Sequence, residues 1–422
     1  MFRRHRNLLL PADRGPLRVM FVLTSMPVGG AEMLLVELVR RLDRTRFSPE
    51  LCCLKYLDPL GEVLAEEIPA FTGLLRHKYD FGVLPRLMRL LRQRRIDAVV
   101  TIGPGDKMFW GRLAAYLAGV PVICAALHST GYPDRVQWLN RRLAPITDAF
   151  IAVAGPHGRH LAEHEGCPAH KVHVIPNGVD VEKFHPRWPA RSVQEELKLA
   201  PGAPVVGIIA ALRAEKNHEL FLRAAALVRQ RLPEARFLVV GDGPQRASLE
   251  SLARELGVAE VTHFLGTRGD VAEVLSVIDV LVLTSHMEAN PVSILEAMAA
   301  EKPVVATRVG SVSETVLDAE TGYLVPPGAA QEIAERVSEL LTDRPKAAAI
   351  GRAGRERVIA RYSIDRMVQG YQDLIAGIYT AKATRRGGEG ALAEAGRSAT
   401  ISAGVTVRGD CPNFRGGDRP AP

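Results

Sequence analysis

The sequence is poor in cysteine and has no long apolar run. Its five cysteines (Cys52, Cys53, Cys124, Cys167 and Cys411) are an odd number and form no C-x-x-C pair. Neither a disulfide frame nor a structural zinc is expected from that spacing. The longest apolar candidate, Ala114 to Leu127, is interrupted by Gly119 and Pro121 and falls short of the roughly 18 residues of a membrane span. The opening MFRRHRNLLLP is basic, but three leucines are too short an apolar core for a signal peptide. These absences predict a cytoplasmic protein. Neither half offers a full G-x-G-x-x-G after its first strand with an acidic residue about 20 positions on, which argues against a two-domain nicotinamide oxidoreductase.

What is present fits a globular protein of two or three domains: 422 residues, 47% hydrophobic and 24% charged. The net charge of +7 is uneven. Residues 1–190 hold 26 Lys+Arg against 18 Asp+Glu, and residues 191–422 hold 28 against 29. The excess lies wholly in the first half. A basic half points to an anionic partner: a membrane surface, a phosphorylated acceptor or nucleic acid.

Apolar periodicity alternates strand and helix. LRVMFVLTS (Leu17–Ser25) predicts a buried strand and AEMLLVELVRRL (Ala31–Leu42) an amphipathic helix. Further βα units follow as far as AFIAVAGPHG, and KVHVIPNGVDVEKFHP breaks the pattern. A second series restarts at APVVGIIAAL. The reading is α/β, with two doubly wound, Rossmann-like domains facing a central cleft. Its boundaries are a basic segment 1–16, a first domain 17–185, a linker 186–203 and a second domain 204–360. A C-terminal helix 361–383 and a disordered tail 384–422, rich in Gly, Arg, Ala and Ser, complete it.

Several residues at strand ends carry chemistry. Gly29 and Gly30 separate the first strand from the first helix, where backbone N–H groups can approach a phosphate or an acceptor. Gly241 and Gly243 in VVGDGP match only part of a dinucleotide loop and are read as a structural turn. His128 ends the strand VICAAL, placed to donate to a sugar hydroxyl or, when charged, to face a phosphate. Arg213 and Lys216 stand before a helix whose dipole they oppose, an arrangement suited to a diphosphate. In SHMEANPVSILEAM, Pro291 suits the first helical position. Glu288 then lies just outside the helix, in a solvent-facing cleft loop, and Glu296 lies inside it. The segment Asn290, Pro291, Val292 and Ser293 is expected to line a donor site, with the N–H groups near Val292 and Ser293 suiting a phosphate. The two carboxylates would accept hydrogen bonds from hydroxyls, one set on a sugar and one on a ribose.

Glu288 and Glu296 in an E-x7-E pattern resemble the signature of the retaining glycosyltransferases of family 4, which have the GT-B fold. GGAE (Gly29–Glu32), VIPNGVD (Val174–Asp180), LRAEKNH (Leu212–His218), VVGDGP (Val239–Pro244), HFLG (His263–Gly266), PVVAT (Pro303–Thr307), GSVSE (Gly310–Glu314) and TGYLVPPG (Thr321–Gly328) each resemble that family's blocks, in order. The likeness runs from about residue 17 to residue 380. It implies a nucleotide-diphosphate sugar as donor and a glycan or lipid-linked acceptor, in envelope or exopolysaccharide synthesis. His128 would contact the transferred sugar, Glu288 its hydroxyls and Glu296 the ribose. Lys216, with Arg213 near it, would neutralise the leaving diphosphate, and Gly29 and Gly30 would approach acceptor or donor. The resemblance implies no metal and no other cofactor, consistent with the lack of a D-x-D motif at a strand end. No nucleic-acid partner is expected.

Two departures stand out. Many family members carry an arginine five residues before the lysine, where this chain has Ala211, and a glycine after the first glutamate, where it has Ala289. Alternatives with the same architecture are a nucleotide-sugar epimerase and a sugar-nucleotide-binding protein without transferase activity. Finally, Arg86, Arg89, Arg92 and Arg95 form an i, i+3 series beside Leu87, Leu90 and Leu91. That stripe is the expected contact with an anionic surface at the inner membrane face.

Overall fold

The structure is a computed structural model describing residues 15–77, 79–103, 106–128, 141–186 and 191–387. It contains two parallel sheets. The first has the order β3-β2-β1-β4-β5-β6-β7, with β1 Leu17–Leu23, β2 Phe47–Cys53, β3 Ala70–Phe71, β4 Ala98–Ile102, β5 Val122–Ala126, β6 Ala149–Ala152 and β7 Val172–Val174. The second has the order β10-β9-β8-β11-β12-β13, with β8 Val205–Ile209, β9 Arg236–Val240, β10 Thr262–Gly266, β11 Val280–Leu283, β12 Val304–Thr307 and β13 Tyr323–Val325. Central strands such as VLVL of β11 and VVAT of β12 are buried throughout, as strands covered on both faces must be.

In each sheet the strand order reverses once, between β1 and β4 and between β8 and β11. Loops leaving the carboxyl ends of the strands at such a reversal border a crevice. This places the Gly29–Gly30 turn after β1, the Lys216 loop after β8 and the Glu288 loop after β11. His128 follows β5 on the same edge of the first sheet.

Helices cover both sheets. Helix α1, Gly30–Arg41, buries Leu34, Leu35, Leu38 and Val39. Helix α2, Val83–Gln93, buries Val83, Leu87 and Leu91. Further along are α3 (Asp106–Ala118), α4 (Gly155–Glu163), α5 (His218–Arg231) and α6 (Val292–Ala299). The last helix, α7 (Ile364–Gly387), crosses back to the first domain. Its Ile364, Met367, Tyr371, Ile375 and Tyr379 share one core with β1 and α1. Lys382 Nζ fastens its far end, donating to Asp148 Oδ1 at 2.5 Å and to Pro121 O at 2.7 Å. Among the described residues no helix is long and apolar enough to cross a membrane.

Three features differ from the sequence reading. Residues 172–174 extend the first sheet as β7, where the pattern was expected to break. That strand is an edge with two of its three residues exposed, so it carries little apolar periodicity. The expected linker contains a short helix, Arg191–Glu196. The α2 arginines do not form a free stripe. Arg86 pairs with Asp80 and donates to Leu74 O at 2.9 Å, and Arg92 donates to Leu117 O at 2.7 Å. Most of segment 1–16 and the tail beyond Gly387 lie outside the described residues, and 384–387 continue α7.

The domains meet at polar and apolar points alike. Asn177 Nδ2 donates to Asn290 O at 2.8 Å. The Gly155 N–H at the start of α4 donates to Glu314 Oε2 at 2.9 Å. A Cβ on Gly30, the first residue of α1, would meet Val292 Cγ2 at 3.6 Å, so the N-termini of α1 and α6 face each other.

Candidate active site

Lys216 and Glu288 come from the two loops that flank the reversal point of the second sheet. Lys216 Nζ donates to Glu288 Oε1 at 2.6 Å. Ser285 Oγ donates to the same oxygen, also at 2.6 Å. Oε2 takes no hydrogen bond from any described residue. The carboxylate is therefore held through one oxygen and open at the other. The side chain is only 7% exposed, against 25% for Lys216. This corrects the expectation of a solvent-facing loop. Contacts distant in sequence close over Glu288, and local polarity does not report them.

Those contacts are specific. Gly310, with φ +51°, brings the loop after β12 against Glu288, where a Cβ would fall 1.9 Å from Glu288 O. Ser311 N–H then donates to that carbonyl at 3.1 Å. Thr307 Oγ1 donates to Ser285 O at 2.7 Å, and Thr284 Oγ1 to Asn217 O at 2.9 Å. His286 N–H reaches Glu215 O at 2.8 Å. The Lys216 and Glu288 loops are thus stitched together by backbone acceptors, which fixes both charged groups before any ligand arrives. Gly243 serves the same end. A Cβ there would stand 2.5 Å from Leu212 O, so the VVGDGP turn presses directly on the Lys216 loop.

Helix α6 begins at Val292, with Pro291 as its N-cap. Sequence reasoning placed Pro291 one position later, inside the helix. Its extended ψ of 119° keeps it outside. The cap residue makes no side-chain hydrogen bond. The first N–H groups, at Val292 and Ser293, therefore have no helical acceptor and carry the positive end of the helix dipole.

Around this helix start lie three buried polar atoms without hydrogen-bond partners: His128 Nδ1, Asn177 Oδ1 and Asn290 Oδ1. They come from three separate segments, two in the first domain and one in the second. Such atoms are costly to bury unsatisfied and recur where a ligand completes the set. Burial pushes the His128 imidazole down to about 4, with the Asn177 side chain offsetting part of the effect. An imidazole held low in this way stays uncharged near neutral pH, a state able to hydrogen-bond a hydroxyl.

Glu296 lies about one turn into α6. Burial raises its carboxyl to about 7, against a smaller opposing pull from Lys183. It accepts no hydrogen bond from any described residue. Glu32, in the first turn of α1, is also raised by burial, with its own backbone N–H and the Arg213 charge working the other way. Its Oε2 folds back over Gly29, where a Cβ would lie 2.5 Å away. Arg213 is exposed, and its charge is felt at Glu32 across the domain boundary.

The structure joins Lys216 to Glu288, and across the domain boundary it joins Asn290 to Asn177, with His128 beside it, and Gly30 to Val292. Glu296 lies further along α6, where the Lys183 charge acts on it, and Arg213 is exposed. Sequence reasoning gave no role to Asn177, Ser285 or Glu32. Asn177 and Glu32 sat within recognised blocks (VIPNGVD and GGAE), and Ser285 within the stretch that holds both glutamates. Their partners, 113 residues away for Asn177, were not legible.

Comparison with known proteins agrees with this architecture. The family profile described as Glycosyltransferase Family 4 matches residues 28–183, and that of Glycosyl transferases group 1 matches residues 191–357. The chain is 29% identical over 356 residues to the putative glycosyltransferase EpsF of Bacillus subtilis, covering 80% of this chain and 90% of that one. It is 36% identical over 292 residues to the GDP-mannose-dependent alpha-(1-6)-phosphatidylinositol monomannoside mannosyltransferase of Mycolicibacterium smegmatis, covering 65% and 74%. Among solved structures, Anabaena HepE in complex with UDP-glucose superposes with a TM-score of 0.73 at 23% identity, covering 86% of this chain and 100% of that one. With two parallel-sheet domains in the GT-B arrangement and relatives matched across both, the chain belongs to the family 4 glycosyltransferases.

Proposed function

We propose that this glycosyltransferase moves a hexosyl unit from a nucleotide-diphosphate sugar, with retention and without a metal ion, to a glycan or lipid-linked acceptor. The setting is cell-envelope or exopolysaccharide synthesis on the cytoplasmic side of the membrane. The observation that carries the reading is the Lys216–Glu288 contact beside the open N-terminus of α6. A cation, a set of free N–H groups and a half-engaged carboxylate meet where a sugar diphosphate presents anionic oxygens next to hydroxyls.

In this reading Lys216 and the N–H groups of Val292 and Ser293 bind the diphosphate, with Arg213 joining from the rim. Glu288 Oε2 accepts from the sugar hydroxyls, and neutral His128 and Asn177 meet the same ring. Glu296 accepts from the ribose. The acceptor hydroxyl oxygen bonds to the anomeric carbon from the side that the diphosphate leaves. As the anomeric C–O bond breaks, the hydroxyl proton passes to a diphosphate oxygen, and nucleoside diphosphate departs. Lys216 and the helix N-terminus stabilise the charge that grows on the leaving group. GDP-mannose in the mycobacterial relative's name and UDP-glucose in the HepE complex support a nucleotide hexose as donor. The phosphatidylinositol mannoside in the former name supports a lipid-linked acceptor.

The test is the anomeric configuration of the product, read by proton NMR with an α-linked donor. An α-linked product is expected. A β-linked product contradicts retention, and donor epimerisation without transfer would favour the epimerase alternative.

A further inference from the structure

The most exposed aromatic side chains are not scattered. Among the described residues, Tyr56, Tyr79 and Phe81 stand out at 66%, 72% and 72% exposed. All three lie on one corner of the first domain. Tyr56 follows β2, and Tyr79 and Phe81 follow the edge strand β3. The two loops are tied together by Leu75 N–H to Leu54 O at 2.7 Å and Gly73 N–H to Lys55 O at 3.3 Å. Asp80 sets the outward pose. It is buried and accepts from Arg76 N–H at 2.8 Å, from Gly82 N–H at 3.1 Å and from the Arg86 guanidinium. With Asp80 turned in, the residues on either side of it are turned out.

The chemistry of the corner selects its partner. Phe81 has no polar group to satisfy in water. It meets Trp110 of α3 edge-on, with centroids 5.9 Å apart and planes at 86°. Crossed rings make a wedge rather than the flat face on which a sugar ring stacks. Arg76 and His77 are exposed beside the wedge, and Arg89 is exposed on α2. Asp80 is already paired, and the acids that follow Tyr56 include Asp58 and, further along the next helix and at its C-cap, Glu62 and Glu66. Aromatic side chains flanked by cations suit the interfacial layer of an anionic bilayer.

We infer that Tyr56, Tyr79 and Phe81, with Arg76 and Arg89, form a docking surface for anionic lipid. The two residues beside Asp80 enter the headgroup layer and the cations meet lipid phosphates. The inference rests on the lipid-linked acceptor proposed above and relocates the membrane contact. The α2 arginines Arg86 and Arg92 donate to acceptors of their own domain, Arg92 at the surface, and the loop before α2 makes the contact. This corner lies on the carboxyl edge of the sheet that also carries Gly29, Gly30 and His128. Docking there brings the mouth of the crevice toward a membrane-anchored acceptor.

The experiment is co-sedimentation of the full chain with phosphatidylcholine vesicles, with and without phosphatidylglycerol. The wild type is expected to pellet with the anionic vesicles. Tyr79→Ser with Phe81→Ser is expected to lower the bound fraction about tenfold or more at physiological salt. Arg89→Glu is expected to lower it most at low salt. Release of nucleoside diphosphate from donor alone should be unchanged in the double variant, which shows that fold and donor site survive. A wild type that ignores anionic vesicles overturns the inference, as does equal pelleting of wild type and double variant. A double variant that only raises KM for a water-soluble acceptor would make the corner a glycan subsite instead. If the wild type releases nucleoside diphosphate from no donor, the transferase reading fails while the vesicle result still decides the docking surface.

Discussion

Lys216 Nζ lies 2.6 Å from Glu288 Oε1, joining the two loops that leave the reversal point of the second sheet. Ser285 donates to that same oxygen, so removing Glu288 frees two donors in a nearly dry site. Glu288→Gln keeps an oxygen for both and is expected to melt close to the wild type while losing nearly all transfer. Glu288→Ala strands both donors and should also cost about 1–3 kcal/mol of stability. Thermal melts beside a transfer assay check this. Full activity in Glu288→Gln would remove the residue from the mechanism.

Glu296 makes stability depend on pH. Its folded value of about 7 lies above the ordinary 4.5, so the folded chain holds a proton that the unfolded chain has released. Stability therefore falls as pH rises from about 4.5 through about 7. Glu296→Gln removes that penalty. The variant is expected to match the wild type near pH 4 and to exceed it at pH 8 by about 1–3 kcal/mol. Urea unfolding at the two pH values tests it, and an equal difference at both contradicts it. In binding, Glu296→Ala should weaken donor Kd by about ten- to a hundredfold, the worth of a charge-assisted hydrogen bond. An unchanged Kd rules out the ribose role.

His128 shifts in the other sense. Burial holds it near 4, so the folded chain refuses a proton that the unfolded chain takes up below about 6.5. Its contribution is complete above that value and is lost as pH falls toward 4. Imidazole NMR should show His128 neutral down to about pH 4.5. His157 and His218 are also pushed to about 4 by burial, so a His128→Phe spectrum is needed to assign the signal. Titration of His128 near 6.5 would place it in water and contradict its place in the crevice.

The proposed chemistry assigns the leaving group's charge to Lys216 and the α6 N-terminus. Transfer should then persist in excess EDTA. Loss of activity that added Mg²⁺ or Mn²⁺ restores would show that these groups do not suffice.

The sequence reveals its strands where both faces are buried. VVGII of β8 and VLVL of β11 are apolar runs, and the order of strand, polar loop and helix puts Lys216 and Glu288 at strand ends. Weakly buried pieces are less legible: β3 has two residues, and β7 exposes two of its three. Side-chain direction was least legible. The burial of Glu288 depends on Gly310, the charge of Arg213 acts on Glu32 of the other domain, and Arg86 is engaged by Asp80 and by Leu74 O twelve residues before it. Each is settled by tertiary contacts that periodicity does not encode.

The central claim is that the crevice at Lys216 and Glu288 activates a nucleotide sugar. Its most direct test is mass-spectrometric detection of released nucleoside diphosphate from a panel of UDP-, GDP- and ADP-sugars. Wild type, Lys216→Ala and Glu288→Gln are run side by side. The account predicts release from at least one donor by the wild type, lowered at least about a hundredfold in both variants. Release that survives in Lys216→Ala and Glu288→Gln, or no release from any donor by the wild type, would contradict it.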